Sequence, residues 1–303
     1  MEKKRLIRAV VLASLVLVIG LFFVALCSFL REPLTSLLLL SHRVGDKPAK
    51  FGALHLSFLV FTVVLSAFAA ILGGRVTKER LDGIVFAFGV LFLLLETYKQ
   101  AYYHMVLGGG SYRLSVLPLQ LCSYVLYLFP VLPLLGEGRV KRLLYGFAAL
   151  FETVGGAVVM AYPLFYRELA LSVYTLVWHT VMVAVGVLIL TVRGYGRDYV
   201  REVLPSFGIF LTVFLLGLTL NVLLSPERVG ETDVLNLFYL SPHGVTNMFL
   251  IGDVRDALGL PMAAMTYAVL LFVGANAVWL IGRLVLQAKG EFRRKGGTSC
   301  DTE

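Results

Sequence analysis

Residues 83–107 read GIVFAFGVLFLLLETYKQAYYHMVL, apolar from Gly83 to Leu95 and abruptly polar from Glu96 onward. A run of roughly twenty apolar residues is what a helix needs to cross a hydrocarbon core of about 30 Å. This run carries Glu96, Lys99, Gln100, Tyr103 and His104 into the bilayer with it. Their spacings of three, four and seven place them along one stripe of a helix. Polar groups at such depth are costly in lipid, so the stripe must face the interior of a bundle or a wet cavity.

The pattern recurs throughout the 303 residues. Apolar runs cover Leu6–Leu30, Phe51–Gly73, Gly83–Leu107, Leu114–Leu135, Leu143–Leu164, Leu169–Val192, Leu204–Leu224 and Ala263–Leu286. Hydrophobic residues make up 58% and charged residues 15%, whereas a water-soluble chain of this length needs a more polar exterior. The expected fold is an all-α integral membrane protein, a bundle of about eight transmembrane helices. Residues 1–288 form one polytopic domain, and 289–303 form a disordered cytoplasmic tail. The first run is longer than the h-region of a signal peptide, and no A-x-A site follows it. Leu26 is also too large to precede a lipoprotein cysteine at Cys27, so this helix is expected to stay in the mature protein.

The net charge of +8 records orientation. With both termini in the cytoplasm, the inner segments hold Lys3 to Arg8, Arg75, Lys78, Arg80, Arg139, Lys141, Arg142, Arg193, Arg197, Arg201 and the basic tail. The outer ones hold about half as many cations, the positive-inside asymmetry. No nucleic-acid partner is expected. Three scattered cysteines (Cys27, Cys122, Cys300) do not make a disulfide framework. Two outer segments stand out. Residues 31–50 suit a short helix on the outer interface, while 225–262, the longest connection, either caps a cavity or forms an ordinary interfacial loop.

Further polar residues belong to other spans: His55, Gln120 and Cys122 after Pro118, Glu152 beside Gly155-Gly156, Ser172, Thr175 and His179 on one face, Asn221 and Asn276. At about 1.5 Å per residue, Cys122, His179, Glu96, Lys99 and Glu152 all lie roughly 12–17 Å below the outer surface. Gln120, His55, His104 and Asn221 lie nearer that surface, so a polar cavity opening toward the outer leaflet is expected. Plain alternatives stand beside this reading. Glu96 and Lys99 can simply neutralise each other, Glu152 can bond a neighbouring helix, and a buried free cysteine is usually inert. The sequence contains no His-x-x-x-His or Cys-x-x-Cys pair, so neither metal nor cofactor is called for; a mixed Glu96/Glu152/His179 set is the one metal arrangement left open.

The segment Leu117-Pro118-Leu119-Gln120-Leu121-Cys122-Ser123 resembles the Leu-Pro-x-(His/Gln)-Leu-Cys-Ser segment of the YwaF-like bacterial membrane proteins, a family related to vertebrate transmembrane protein 164. Gly155-Gly156 with Tyr162-Pro163, Trp178-His179, Phe238-Tyr239-Leu240-Ser241-Pro242 and Asn247-Met248-Phe249-Leu250 follow in the family's order, from about residue 50 to 285. The resemblance implies a cysteine-dependent acyltransferase acting on phospholipid or lysophospholipid in the bacterial cytoplasmic membrane. By that resemblance Cys122 is the nucleophile and His179 the candidate base. Gln120 stands where many members carry histidine.

The chemistry is consistent with these residue types. A thiolate attacks an ester carbonyl, so the cysteine needs a base or nearby cation, which His179 or Lys99 supplies. Gln120, Asn247 or Lys99 could then donate to the developing oxyanion. Two other readings stay open from the residues alone. One is a small-molecule or ion transporter using Glu96, Lys99, Glu152 and His179; the other is a non-catalytic scaffold or sensor. The oligomeric state leaves no mark in the sequence.

Overall fold

The computed structural model describes residues 31–224, 234–246 and 248–297. Among them the chain is helical throughout, with no strand beyond an isolated bridge between Val44 and Glu168. A short helix α1 (Arg31–Leu39) leads into α2 (Ala53–Leu72) and α3 (Lys78–Ala101), which continues as a π-helical turn, Tyr102–Leu107. After a looped stretch comes α4 (Tyr124–Val131), then α5 (Arg139–Phe147), a second π-helical turn (Ala148–Glu152) and α6 (Thr153–Ala161), forming one continuous rod. The remaining helices are α7 (Leu169–Arg193), α8 (Tyr199–Leu223), the short α9 (Ile251–Leu258) and α10 (Leu260–Gly297).

Six of these rods are long and apolar enough to cross a membrane: Ala53–Leu72, Lys78–Leu107, Arg139–Ala161, Leu169–Arg193, Tyr199–Leu223 and Leu260–Ala288. The expected first span, Leu6–Leu30, and the end of the tail lie outside the described residues. The expected span Leu114–Leu135 differs from the reading. Its helical part, Leu121–Leu134, is 14 residues, about 21 Å at the rise of a helix and short of the roughly 30 Å core. Proline explains the break. Pro118 interrupts the entry, and Pro130 and Pro133 deny the far end its backbone donors, so 3₁₀ turns at Leu121–Ser123 and Leu132–Leu134 flank α4. The cysteine motif therefore sits on a turn rather than inside a regular span.

The bundle has a centre and a rim. Helix α7 and the α5–α6 rod are mostly buried, while α2, α3, α8 and α10 turn much of their apolar surface outward. Outward residues such as Val60, Val63, Leu94, Leu215, Val269 and Val273 are all more than half exposed, as lipid-facing residues are. With lipid outside, burying apolar surface gives helices little reason to associate, and close packing of small residues takes over. A Cβ on Gly186 of α7 would fall 1.8 Å from Thr153 Oγ1 on α6, and one on Gly156 would fall 3.3 Å from the His179 carbonyl oxygen. Glycines at these crossings let the two central helices touch backbone to backbone. Between α2 and α7, Thr62 and Thr180 share a hydrogen bond of 2.7 Å.

One end of the bundle is locked by charge. Asp82 on α3 accepts from Lys141, from Tyr145 at 2.7 Å and from Arg193 at 3.0 Å, while Glu137 pairs with Arg193 at 2.9 Å and Lys141 at 3.1 Å. The Lys141 and Arg193 side chains are 3% and 4% exposed, so these two cations serve the fold. At the other end α1 packs against the π-helical turn Tyr102–Leu107.

In the described part of the connection after α8, residues 242–243 and 249–250 are exposed while residues 235–240 turn inward. Leu235, Leu237, Phe238 and Leu240 are all buried, and the loop is pushed between α8 and α10.

Candidate active site

Cys122 lies on the Leu121–Ser123 turn, half-buried. Two central helices hold that turn. Trp178 of α7 donates its indole N–H to the Cys122 carbonyl oxygen at 3.1 Å, and Leu121 packs against Gly155 of α6, where a Cβ would meet its Cδ2 at 3.4 Å. The backbone of the cysteine is thus tied to the residue immediately before His179.

His179 is buried, and its Nδ1 lies 2.7 Å from the Thr175 carbonyl oxygen. A carbonyl can only accept, so Nδ1 carries the proton in this bond and the neutral ring keeps its lone pair on Nε2. That Nε2 is buried without a hydrogen-bond partner. A second-turn carbonyl of its own helix therefore selects the tautomer that a general base needs.

Glu96, Lys99 and Gln100, the part of the polar stripe on α3, form one network. Glu96 is paired with Lys99 at 2.8 Å and accepts from Gln100 at 2.6 Å and from the Tyr174 hydroxyl of α7 at 3.0 Å. Gln100 also donates to the Val116 carbonyl at 2.8 Å, which ties α3 to the approach of the cysteine turn. Glu152, Lys99 and Glu96 all lie within electrostatic reach of Cys122. The neutral phenols of Tyr166, Tyr174, Tyr239 and Tyr267, contributed by two loops and two helices, lie in the same region. Burial pushes the loop phenols Tyr166 and Tyr239 up from their ordinary value, so both remain neutral O–H donors at physiological pH.

The other expected residues are placed as follows. Glu152 ends the π-helical turn in the α5–α6 rod, fully buried, with neither carboxyl oxygen hydrogen-bonded. A π turn inside a helix frequently marks a functional position; here one precedes the loop to Cys122 and the other carries Glu152. Gln120 turns toward the inserted loop, donating to the Asn236 carbonyl at 2.8 Å and accepting from the Phe238 N–H at 2.7 Å, which leaves one amide N–H for other use. Asn247 lies outside the described residues. His55 accepts from the Phe51 N–H at 2.9 Å and bonds the Met160 carbonyl at 2.7 Å, and Asn221 exchanges two bonds with Leu237, so these two tie backbone together. Among the described residues no three His, Cys, Asp or Glu side chains converge as metal ligands, so Glu96, Glu152 and His179 do not form a mixed set.

A family model covers the same elements. It is that of the TMEM164 family and matches residues 50–281, more than three quarters of the chain, from just before α2 to within α10. The chain belongs to the TMEM164 family. No curated protein and no solved structure matches it. The match takes in the cysteine turn, both central helices and the inserted loop, so every side chain described around Cys122 lies on the family's own stretch of sequence.

The charge-based reading of the sequence missed the phenols. Tyrosine is amphipathic and common at membrane interfaces, so its count gives no sign of convergence. The available signal was Tyr174 and Trp178, four apart on the His179 helix.

Proposed function

We propose that this TMEM164-family protein is a membrane-embedded lipid acyltransferase that carries the acyl group as a thioester on Cys122. The observation that carries the reading is the tautomer of His179, whose Nδ1–H is committed to Thr175 and whose Nε2 is buried without a partner, one residue along α7 from the Trp178 that holds the Cys122 carbonyl. In this mechanism Nε2 takes the thiol proton as the sulfur attacks the ester carbonyl of a glycerolipid. The tetrahedral intermediate collapses by breaking the carbonyl–oxygen bond, and His179 returns the proton to the leaving lysolipid alkoxide. The hydroxyl of a second lysolipid then attacks the thioester, giving its proton to Nε2, which passes it to the departing thiolate. Lys99, the spare N–H of Gln120 and the Tyr239 phenol are the donors for the oxyanion, together with Asn247 of the neighbouring loop.

Two inferences about topology accompany this. The spans number about eight when Leu6–Leu30 and the α4 segment are counted. Both termini lie in the cytoplasm, which opens the site to the outer leaflet of the cytoplasmic membrane.

Incubating the reconstituted protein with an activated-acyl lipid probe and mapping the adduct by mass spectrometry tests the reading. The expected result is a thioester on Cys122, absent in Cys122→Ser and slowed at least tenfold or so in His179→Ala. Absence of any adduct in folded protein sinks it. Transport would then take its place, favoured by the unpartnered buried carboxyl of Glu152, a group suited to proton relay. Flux assays on Glu96, Lys99 and Glu152 variants would follow.

A further inference from the structure

A groove of about 510 Å³ runs down the outside of the bundle between the end of α1, α3 and α7, apart from the turn that carries Cys122. Its upper rim is formed by Ser41 and Arg43, and its walls by Leu95, Val173 and Val177, with Tyr98 and Tyr174 along one side. The rim is fixed in place. Residues 43–45 run antiparallel to 167–169 at the head of α7, with the Gly45 N–H bonded to the Arg167 carbonyl and the Leu169 N–H to the Arg43 carbonyl, both at 3.1 Å. Ser41 and Tyr98 share a bond of 2.8 Å beneath it. Arg43 is exposed, and among the described residues no acidic side chain pairs with it.

A cation without a counter-charge above an apolar channel has the polarity of a phospholipid in reverse. From Leu169 to Val177 the channel descends about 12 Å along α7, most of the roughly 15 Å depth of one leaflet. An acyl chain gains little by moving from lipid into an apolar groove. Preference must therefore come from the head, where a guanidinium holds a phosphodiester by paired, charge-assisted hydrogen bonds.

We propose that this groove is a glycerophospholipid-binding site, with the phosphodiester on Arg43 and one acyl chain along Leu95, Val173 and Val177. Its lower wall adjoins the site: the Tyr174 hydroxyl donates to Glu96, and Val177 directly precedes the Trp178 that tethers Cys122. As the route by which an ester reaches Cys122 the groove rests on the acyltransferase reading; as a binding site it stands without it.

The test uses the full chain in nanodiscs doped with a phospholipid bearing a photoactivatable group in its acyl chain, with adducts mapped by peptide mass spectrometry. Labelling is expected to concentrate at Leu95, Val173 and Val177 over the lipid-facing Val269 and Val273 of α10. Arg43→Glu should lower the groove adducts about five- to tenfold while leaving those on α10 unchanged. A photoactivatable diacylglycerol, which has no phosphate, should show no preference. Equal labelling of groove and α10, or an Arg43→Glu variant that labels like the parent, overturns the proposal. So does a photo-cross-linking residue at Val173 that captures residues 6–30 of the same chain in place of lipid. Cys122→Ser is expected to label as the parent does, so groove labelling without acyl transfer would keep the site and discard only the acyltransferase reading.

Discussion

Replacing Asn221 by leucine should release the loop inserted between α8 and α10. Asn221 is fully buried on α8, donates to the Leu237 carbonyl at 2.9 Å and accepts from the Leu237 N–H at 2.8 Å. Leucine has the same branched heavy-atom skeleton with two methyl groups in place of the amide oxygen and nitrogen, so the change opens no cavity, but it orphans both backbone groups of a buried residue. Each orphan costs about 1–3 kcal/mol, offset by about 1 kcal/mol from the added apolar burial, for a net loss of about 1–5 kcal/mol. The loop has little to spare. Phe238 and Tyr239 have φ of 57° and 59°, a left-handed conformation costing about 1–2 kcal/mol for each non-glycine residue. The side-chain amides of Gln120, Asn221 and Asn236 hold them there. The assay is limited proteolysis of residues 234–246 beside thermal unfolding in nanodiscs. At about 2–4 °C per kcal/mol the midpoint falls by roughly 2–20 °C, or the loop is cut at temperatures where the parent resists. Asn221→Asp keeps the acceptor and recovers part of the loss. Thr219→Val, two residues away on the exposed face of α8, should change neither readout. If Asn221→Leu matches Thr219→Val in both, the loop is not held as described.

Gly217→Ala attacks the same loop from below. The new Cβ would lie 2.2 Å from Cε2 of the buried Phe238 ring, so a loss of about 1–3 kcal/mol is expected, and an unchanged unfolding midpoint would contradict it. At the charged end, Arg193→Met leaves Glu137 to Lys141 alone and weakens the buried site around Asp82, a loss of about 3–5 kcal/mol by chemical or thermal unfolding. The pH dependence has a defined sign. The Arg193 hydrogen bonds hold the Glu137 carboxyl down at about 2, so its contribution is present above its ordinary value and lost as pH falls toward 2. Glu137 is more than half exposed, so solvent screens the effect, and the parent should lose stability modestly from about pH 6 to pH 3. Arg193→Met should show a flatter slope over that range; an equal slope would assign the effect to other carboxyls.

Apolar run length and the polar stripe from Glu96 to His104 are properties of the chain itself. Lipid imposes them locally, because each helix must satisfy its own backbone and reach across the core wherever it sits. The all-helical membrane fold, most of its spans and the Cys122 and His179 candidates were therefore legible in order along the sequence. Neither the length of the α4 segment nor the fate of the loop after α8 was. Composition made Leu114–Leu135 a span, but prolines and a neighbouring helix made it a short helix with Cys122 on the entering turn. Gln120 and Asn221 read as polar groups facing a cavity, whereas they hold the backbone of a loop more than a dozen residues away in the chain. The Trp178 tether of the Cys122 turn, the Tyr174–Glu96 bond and the Arg43 groove exist only where separate elements meet. A pattern along one helix specifies which side must leave the lipid; what that side then touches is set by the packing of the others.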